Sequence, residues 1–194
     1  MPANSGRAVA AFGQTGSMVS LLIVTGPPGS GKSTISAMLV ARLSPSVLVE
    51  GDRFFGFLAE GAIEPWLPES HLQNGIVTEA AASTAGRFAE DYDTIYDGVV
   101  GPWLLSTFAS ATGLVELDYV ILLPSVDVCV ARVRGRTGHG FSDEAATRRM
   151  HAEFDGASID RRHVLAGGSA GPEETVSDIE QARAEGLLRY VAGA

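Results

Sequence analysis

The sequence is short of cysteine, of positive charge and of long apolar runs, and each shortage removes a class of protein. Its one cysteine, Cys129, excludes an intrachain disulfide and a cysteine-cluster metal site. Cys129 lies in an apolar run and is expected to be a buried small hydrophobe. Lysine and arginine number 14 against 23 acidic residues, a net charge of -9 at pH 7. Such a chain repels a nucleic-acid backbone, so no nucleic-acid partner is expected. No apolar run reaches the ~20 residues of a bilayer span, and Ala8–Phe12 is too short for a signal-peptide core. No membrane partner is expected, and the expected location is cytoplasmic.

What remains is the composition of a folded chain, 45% hydrophobic and 19% charged. Residues 1–17 are rich in Gly, Ala, Ser and Asn without a period, and are expected to form a flexible tail. Residues 18–194 fit a single domain. The oligomeric state is left open. Five short apolar runs read as buried parallel strands: Ser20–Thr25, Val47–Glu50, Thr94–Asp97, Tyr119–Leu123 and His163–Ala166. Helical patterns alternate with them at Lys32–Leu43, Glu69–Asp91, Pro102–Ala109, Ser125–Arg134, Ser142–Phe154 and Pro172–Arg189. Ser125 is a candidate N-cap. Strands alternating with helices predict an α/β fold, a three-layer parallel sheet covered on both faces. The Gly- and Arg-rich segment 135–141 is expected to be a mobile lid.

Gly26-Pro27-Pro28-Gly29-Ser30-Gly31-Lys32-Ser33-Thr34 matches G-x-x-x-x-G-K-[ST] between a predicted strand and a predicted helix. Gly29 and Gly31 let backbone amides converge on phosphate oxygens, and the helix N-terminus adds positive charge. Gly26 and Ser30 complete the loop. Lys32 is expected to bridge the β- and γ-phosphates, Ser33 to ligate Mg²⁺, and Thr34 to touch the α-phosphate. The expected cofactors are therefore ATP (or GTP) and Mg²⁺.

Two carboxylates follow at strand ends, where open α/β sheets place their ligands. In Glu50-Gly51-Asp52-Arg53, Asp52 is expected to face the γ-phosphate and activate an acceptor hydroxyl. Arg53 contacts substrate or remains solvated. In Tyr96-Asp97-Gly98, Asp97 is expected to hold Mg²⁺ through water or to bind the acceptor. Phe54, Phe55, Phe57, Trp66 and Trp103 could wall an apolar acceptor pocket or simply pack. His71 and Asn74 share a helical face that could reach a polar acceptor. Arg132 and Arg136, four apart, could close over the triphosphate and stabilise charge as the phosphoryl group moves.

Taken in order, Gly-Pro-Pro-Gly-Ser-Gly-Lys-Ser-Thr, Glu-Gly-Asp-Arg-Phe-Phe, Tyr-Asp-Gly-Val-Val-Gly-Pro-Trp, the arginine lid and His-Val-Leu…Gly-Pro-Glu-Glu-Thr-Val resemble the small P-loop kinases of the nucleoside-monophosphate-kinase-like group. Within it the chain looks like the AAA-type subset that includes chloramphenicol phosphotransferase-like and gluconate-kinase-like enzymes. The resemblance covers residues from Val19 onward. It implies a five-stranded core in order 2-3-1-4-5 and Asp52 as the acceptor-activating carboxylate. It puts Lys32 and Ser33 on phosphate and Mg²⁺, Arg132 and Arg136 in the lid or against adenine, and the loop 167–172 beside the base. The apolar, aromatic acceptor region departs from a gluconate site, and no basic cluster suits a nucleotide acceptor. Both departures favour a neutral, partly apolar small-molecule acceptor, such as an antibiotic or nucleoside-like natural product. A zeta-toxin-like kinase of a nucleotide sugar and an NTPase without an acceptor are the alternatives.

Overall fold

A computed structural model describes residues 20–135, 143–166 and 171–192. The expected tail and nearly all of the expected lid, Arg136 included, lie outside the described residues. Strands β1 (Leu21–Thr25), β2 (Ser46–Glu50), β3 (Asp93–Asp97), β4 (Glu116–Leu122) and β5 (Val164–Leu165) form a parallel sheet in the order β2-β3-β1-β4-β5. This is the expected order.

The strands are apolar on both faces because both faces are covered. Along β1, Leu21 and Ile23 point into one core with Tyr96, Tyr119, Leu105 and Phe108. Leu22 and Val24 point into the other with Ile35, Leu39, Val176 and Ile179. All four β1 side chains are fully buried, and burial of each contributes about 1.5–3 kcal/mol. Helices α3 (His71–Phe88) and α4 (Pro102–Thr112) cover the first face; α1 (Lys32–Val40) and α7 (Pro172–Ala184) cover the second. The remaining helices are α2 (Asp52–Phe55), α5 (Val126–Arg134) and α6 (Glu144–Asp155). No helix among the described residues is long and apolar enough to cross a membrane.

The structure differs from expectation at several ends. The helix expected over Pro172–Arg189 stops at Ala184, Gly186 turns with φ 70°, and Arg189–Val191 becomes β6, antiparallel to β4. The helix expected from Glu69 begins as a 3-10 turn over Pro68–Ser70. Ser125 occupies the N-cap position of α5 but its side chain makes no capping bond. Asp143 does cap α6, its side chain accepting from the Ala146 amide at 2.9 Å. Cys129 is buried, as expected.

The alanine-rich character of α3 has a packing cause. Ala81, Ala82 and Ala85 are buried, and Gly86 lies so close to the end of α4 that a Cβ there would overlap the Thr112 carbonyl, 2.7 Å from its carbon. Alanine in a helix interior is favoured over glycine by about 1 kcal/mol, but overpacking against fixed backbone costs about 1–3 kcal/mol. Gly86→Ala should therefore destabilise the fold in urea unfolding. A stabilised variant would mean that α3 and α4 can separate freely.

Candidate active site

The phosphate loop runs from the end of β1 to the start of α1. Gly26 and Gly29 have φ of 148° and 80°, which side-chain-bearing residues rarely adopt. Neither has room for a Cβ: at Gly26 it would overlap the Leu122 carbonyl, and at Gly29 it would lie 2.9 Å from the Cys129 carbonyl carbon. The loop is thus pressed between the end of β4 and α5. No side chain caps α1, and its first turn holds no acidic residue. Its leading amides are left for an anion, which the helix dipole favours. Lys32 is buried, while Ser33 and Thr34 are exposed in the first turn.

Asp97, at the end of β3, is buried, and the Ser33 hydroxyl beside it favours its ionised form. Burial pushes its carboxyl above the ordinary aspartate range; Lys32 and Ser33 oppose this, while Asp52 and Glu50 push with burial. Its Oδ1 is buried without a hydrogen-bond partner among the described residues. An orphaned carboxylate oxygen beside a serine hydroxyl and a lysine fits a magnesium-bound triphosphate, since both oxygens are hard donors.

Asp52 sits across from Asp97. β2 and β3 are in register, Glu50 opposite Asp97, and the Gly51 amide donates to the Asp97 carbonyl at 2.8 Å. Asp52 then opens α2 and is exposed. Strand pairing therefore delivers one buried and one exposed carboxylate to the same edge of the sheet.

Partners within the chain engage several of the other acceptor-side residues. Arg53 is exposed and pairs with Glu50 at 2.5 Å. Phe55 is half-buried in α2. Phe57 is 79% exposed and meets Phe54 edge-on at 5.6 Å. Trp103 packs against Phe154 of α6 at 5.1 Å. Trp66 accepts at its carbonyl from Arg149 at 3.1 Å. His71 is exposed at the start of α3. Asn74 is turned to the chain instead: its Nδ2 donates to the Pro65 carbonyl at 2.7 Å and to Ser70 Oγ at 2.9 Å.

Arg132, in the last turn of α5, lies against the phosphate loop, its Nη1 donating to the Gly29 and Ser30 carbonyls at 3.3 and 3.2 Å. Arg134 forms an exposed pair with Glu144 of α6, with Nη2 to Oε2 at 2.6 Å. Tyr96 belongs to no motif, yet it lies between the two acids. Its ring lies beneath Gly51 and Gly98, and burial, with Asp52 and Asp97 nearby, raises its hydroxyl well above the ordinary phenol range. The signal was a tyrosine directly before the strand-end acid, with glycines beside both acids.

Solved structures share this fold at low identity. The tunicamycin resistance protein of Deinococcus radiodurans aligns at TM-score 0.63 and 17% identity, over 90% of this chain and 99% of its own. A gluconokinase of Sinorhizobium meliloti aligns at 0.55 and 19%, over 88% and 92%. Shikimate kinase of Acinetobacter baumannii aligns at 0.59 and 14%, over 87% and 94%. These agree with the P-loop kinase group that the motifs resemble. No curated protein sequence matches the chain significantly. A family model described as AAA domain matches residues 21–157, which hold the phosphate loop, both strand-end acids and Arg132, and the chain belongs to that AAA domain family.

Proposed function

We propose that this protein is an ATP-dependent phosphotransferase acting on a hydroxyl of an uncharged, partly apolar small molecule, such as an antibiotic or nucleoside-like natural product. The observation that carries the reading is the pair of strand-end acids: Asp97 buried against Ser33 beside the phosphate loop, and Asp52 exposed next to it. A plain NTPase needs the first; the second adds a base where an acceptor would stand. The arginines support an uncharged acceptor. Arg53 is held by Glu50 and Arg149 by the Trp66 carbonyl. An anionic acceptor would have to compete for them. The similar tunicamycin resistance protein is, by its name, an antibiotic-resistance protein, and the proposal puts this chain in the same broad class.

In the proposed reaction the acceptor oxygen bonds to the γ-phosphorus as the bond from that phosphorus to the β–γ bridging oxygen breaks. ADP leaves, and the hydroxyl proton passes to Asp52. Lys32 and the loop amides hold charge on the phosphates. Magnesium, when bound, would supply further neutralisation, held by Ser33 and Asp97. Arg132, fixed on the loop carbonyls, keeps the cradle in shape and borders the nucleotide. Phosphoryl transfer needs little covalent help, so alignment should dominate the rate.

The direct test is a panel of hydroxylated antibiotics, nucleosides and sugars incubated with ATP and Mg²⁺, read by mass for gain of one phosphoryl group. Lys32→Ala should abolish transfer with the fold intact. Asp52→Asn should slow it by about 10²-fold, the low end of general-base effects. ATP hydrolysis that no panel member changes would leave the protein an NTPase, and wild-type turnover in Asp52→Asn would remove that residue from the chemistry.

Asp97 gives a pH signature. Metal binding needs its ionised form, whose carboxyl titrates above the ordinary range. Magnesium-dependent nucleotide affinity should therefore fall as pH drops through that raised value. The metal-free protein should respond in the opposite sense: its native state holds the proton more tightly than the unfolded chain, so stability falls as pH rises through the same window. Calorimetric titrations and melting curves across mildly acidic pH check both, and Asp97→Asn should flatten them. Wild-type profiles indistinguishable from Asp97→Asn would contradict the assignment.

A further inference from the structure

We propose that Tyr96 is a positioning residue that spaces the two strand-end acids, Asp52 and Asp97, by filling the room under Gly51 and Gly98. The proposal rests on the phosphotransferase reading for its purpose, and on packing alone for its geometry.

Gly51 sits between Glu50 and Asp52, yet its backbone is ordinary, with φ -59° and ψ -36°. Any residue can adopt that conformation. Gly98 likewise lies outside the left-handed region. Conformation explains neither glycine; Tyr96 explains both. A Cβ at Gly51 would overlap the Tyr96 hydroxyl and lie 2.7 Å from Cζ. A Cβ at Gly98 would lie 2.8 Å from Cε1 and 2.9 Å from the hydroxyl. One ring thus touches the turn that starts α2 and the turn that leaves β3. From the opposite side the ring is held by Phe108 of α4, edge to face at 4.6 Å. The Gly51 amide bond to the Asp97 carbonyl, at 2.8 Å, closes the arrangement.

Asp52 and Asp97 therefore lie at the ends of two short turns that share one rigid prop. The phenol reaches neither phosphate nor metal in this reading and acts through the two acids. It stays protonated in neutral solution, since burial and both neighbouring carboxylates oppose its ionisation. The ring body, set against Phe108 and beneath both glycines, carries the spacing, and the hydroxyl fills the last of the room at Gly51.

The test uses Tyr96→Phe, Tyr96→Leu and Gly51→Ala in the full chain. Two readouts need no acceptor: Mn²⁺ affinity of the ATP complex by electron paramagnetic resonance, and slow ATP hydrolysis to water. A third is kcat and KM of transfer with whichever acceptor the panel yields. Tyr96→Phe keeps the prop and should stay close to wild type in all. Tyr96→Leu should weaken Mn²⁺ binding and lower kcat by about 10²-fold, the size expected when reacting groups shift by an ångström, with nucleotide affinity measured without metal unchanged. Gly51→Ala should lower kcat with ATP affinity retained. Melting curves separate these effects from unfolding, and Gly51→Ala supplies a second variant should Tyr96→Leu not fold. If Tyr96→Phe falls as far as Tyr96→Leu, the hydroxyl carries the role and the spacer idea is wrong. If Tyr96→Leu and Gly51→Ala both match wild type, Tyr96 is only core. A wild-type protein that binds Mn²⁺ and ATP but phosphorylates nothing would defeat the phosphotransferase reading, while the Mn²⁺ and hydrolysis arms still decide the spacer.

Discussion

Everything at this site depends on how tightly the backbone of residues 26–31 is squeezed. The loop passes between the Leu122 carbonyl at the end of β4 and the Cys129 carbonyl in α5, and no Cβ fits at Gly26 or Gly29. That confinement fixes the path by which the loop enters α1. Lys32, Ser33 and the uncapped first turn follow from it. Arg132 braces the same loop from α5 through the Gly29 and Ser30 carbonyls. An acidic protein with net charge -9 can offer an anion site here because the positive potential is local, made of backbone dipoles, one buried lysine and one arginine.

The sheet supplies the rest. Placing β3 between β1 and β2 brings Asp97 next to the phosphate loop and Asp52 one strand further out. The two acids meet different surroundings. Asp97 is buried, beside Ser33 and near Lys32; Asp52 is exposed on a single turn of helix. Environments that differ this much suit different work: a ligand held in place and a base that must meet an incoming hydroxyl.

The central strands were legible because β1 is buried along its whole length and β3 and β4 along most of theirs, so apolar runs such as Leu21–Val24 stand out from their flanks. The phosphate loop was legible because its chemistry is written in adjacent residues. β6 was hidden: Arg189–Val191 is short, half-exposed, and follows good helix formers that carried the predicted α7 past Gly186. Of the expected aromatic residues, Trp103 packs against Phe154 of α6, a long-range partner that the local sequence pattern does not reveal. The bonds of Asn74 to Pro65 and Ser70 were not legible, because a helical face says nothing about a loop folding back onto it. Tyr96 was invisible as a spacer because its evidence is two glycines 47 residues apart, joined only by strand pairing.

The division of labour between the two acids is the claim on which the proposed chemistry stands. Calorimetric titration of ATP with and without Mg²⁺, on the wild type, Asp52→Asn and Asp97→Asn, separates them directly. Expected is that Asp97→Asn loses the magnesium-dependent gain in affinity while Asp52→Asn binds as the wild type does. Loss of that gain in Asp52→Asn with Asp97→Asn unaffected would contradict the assignment and exchange the two roles.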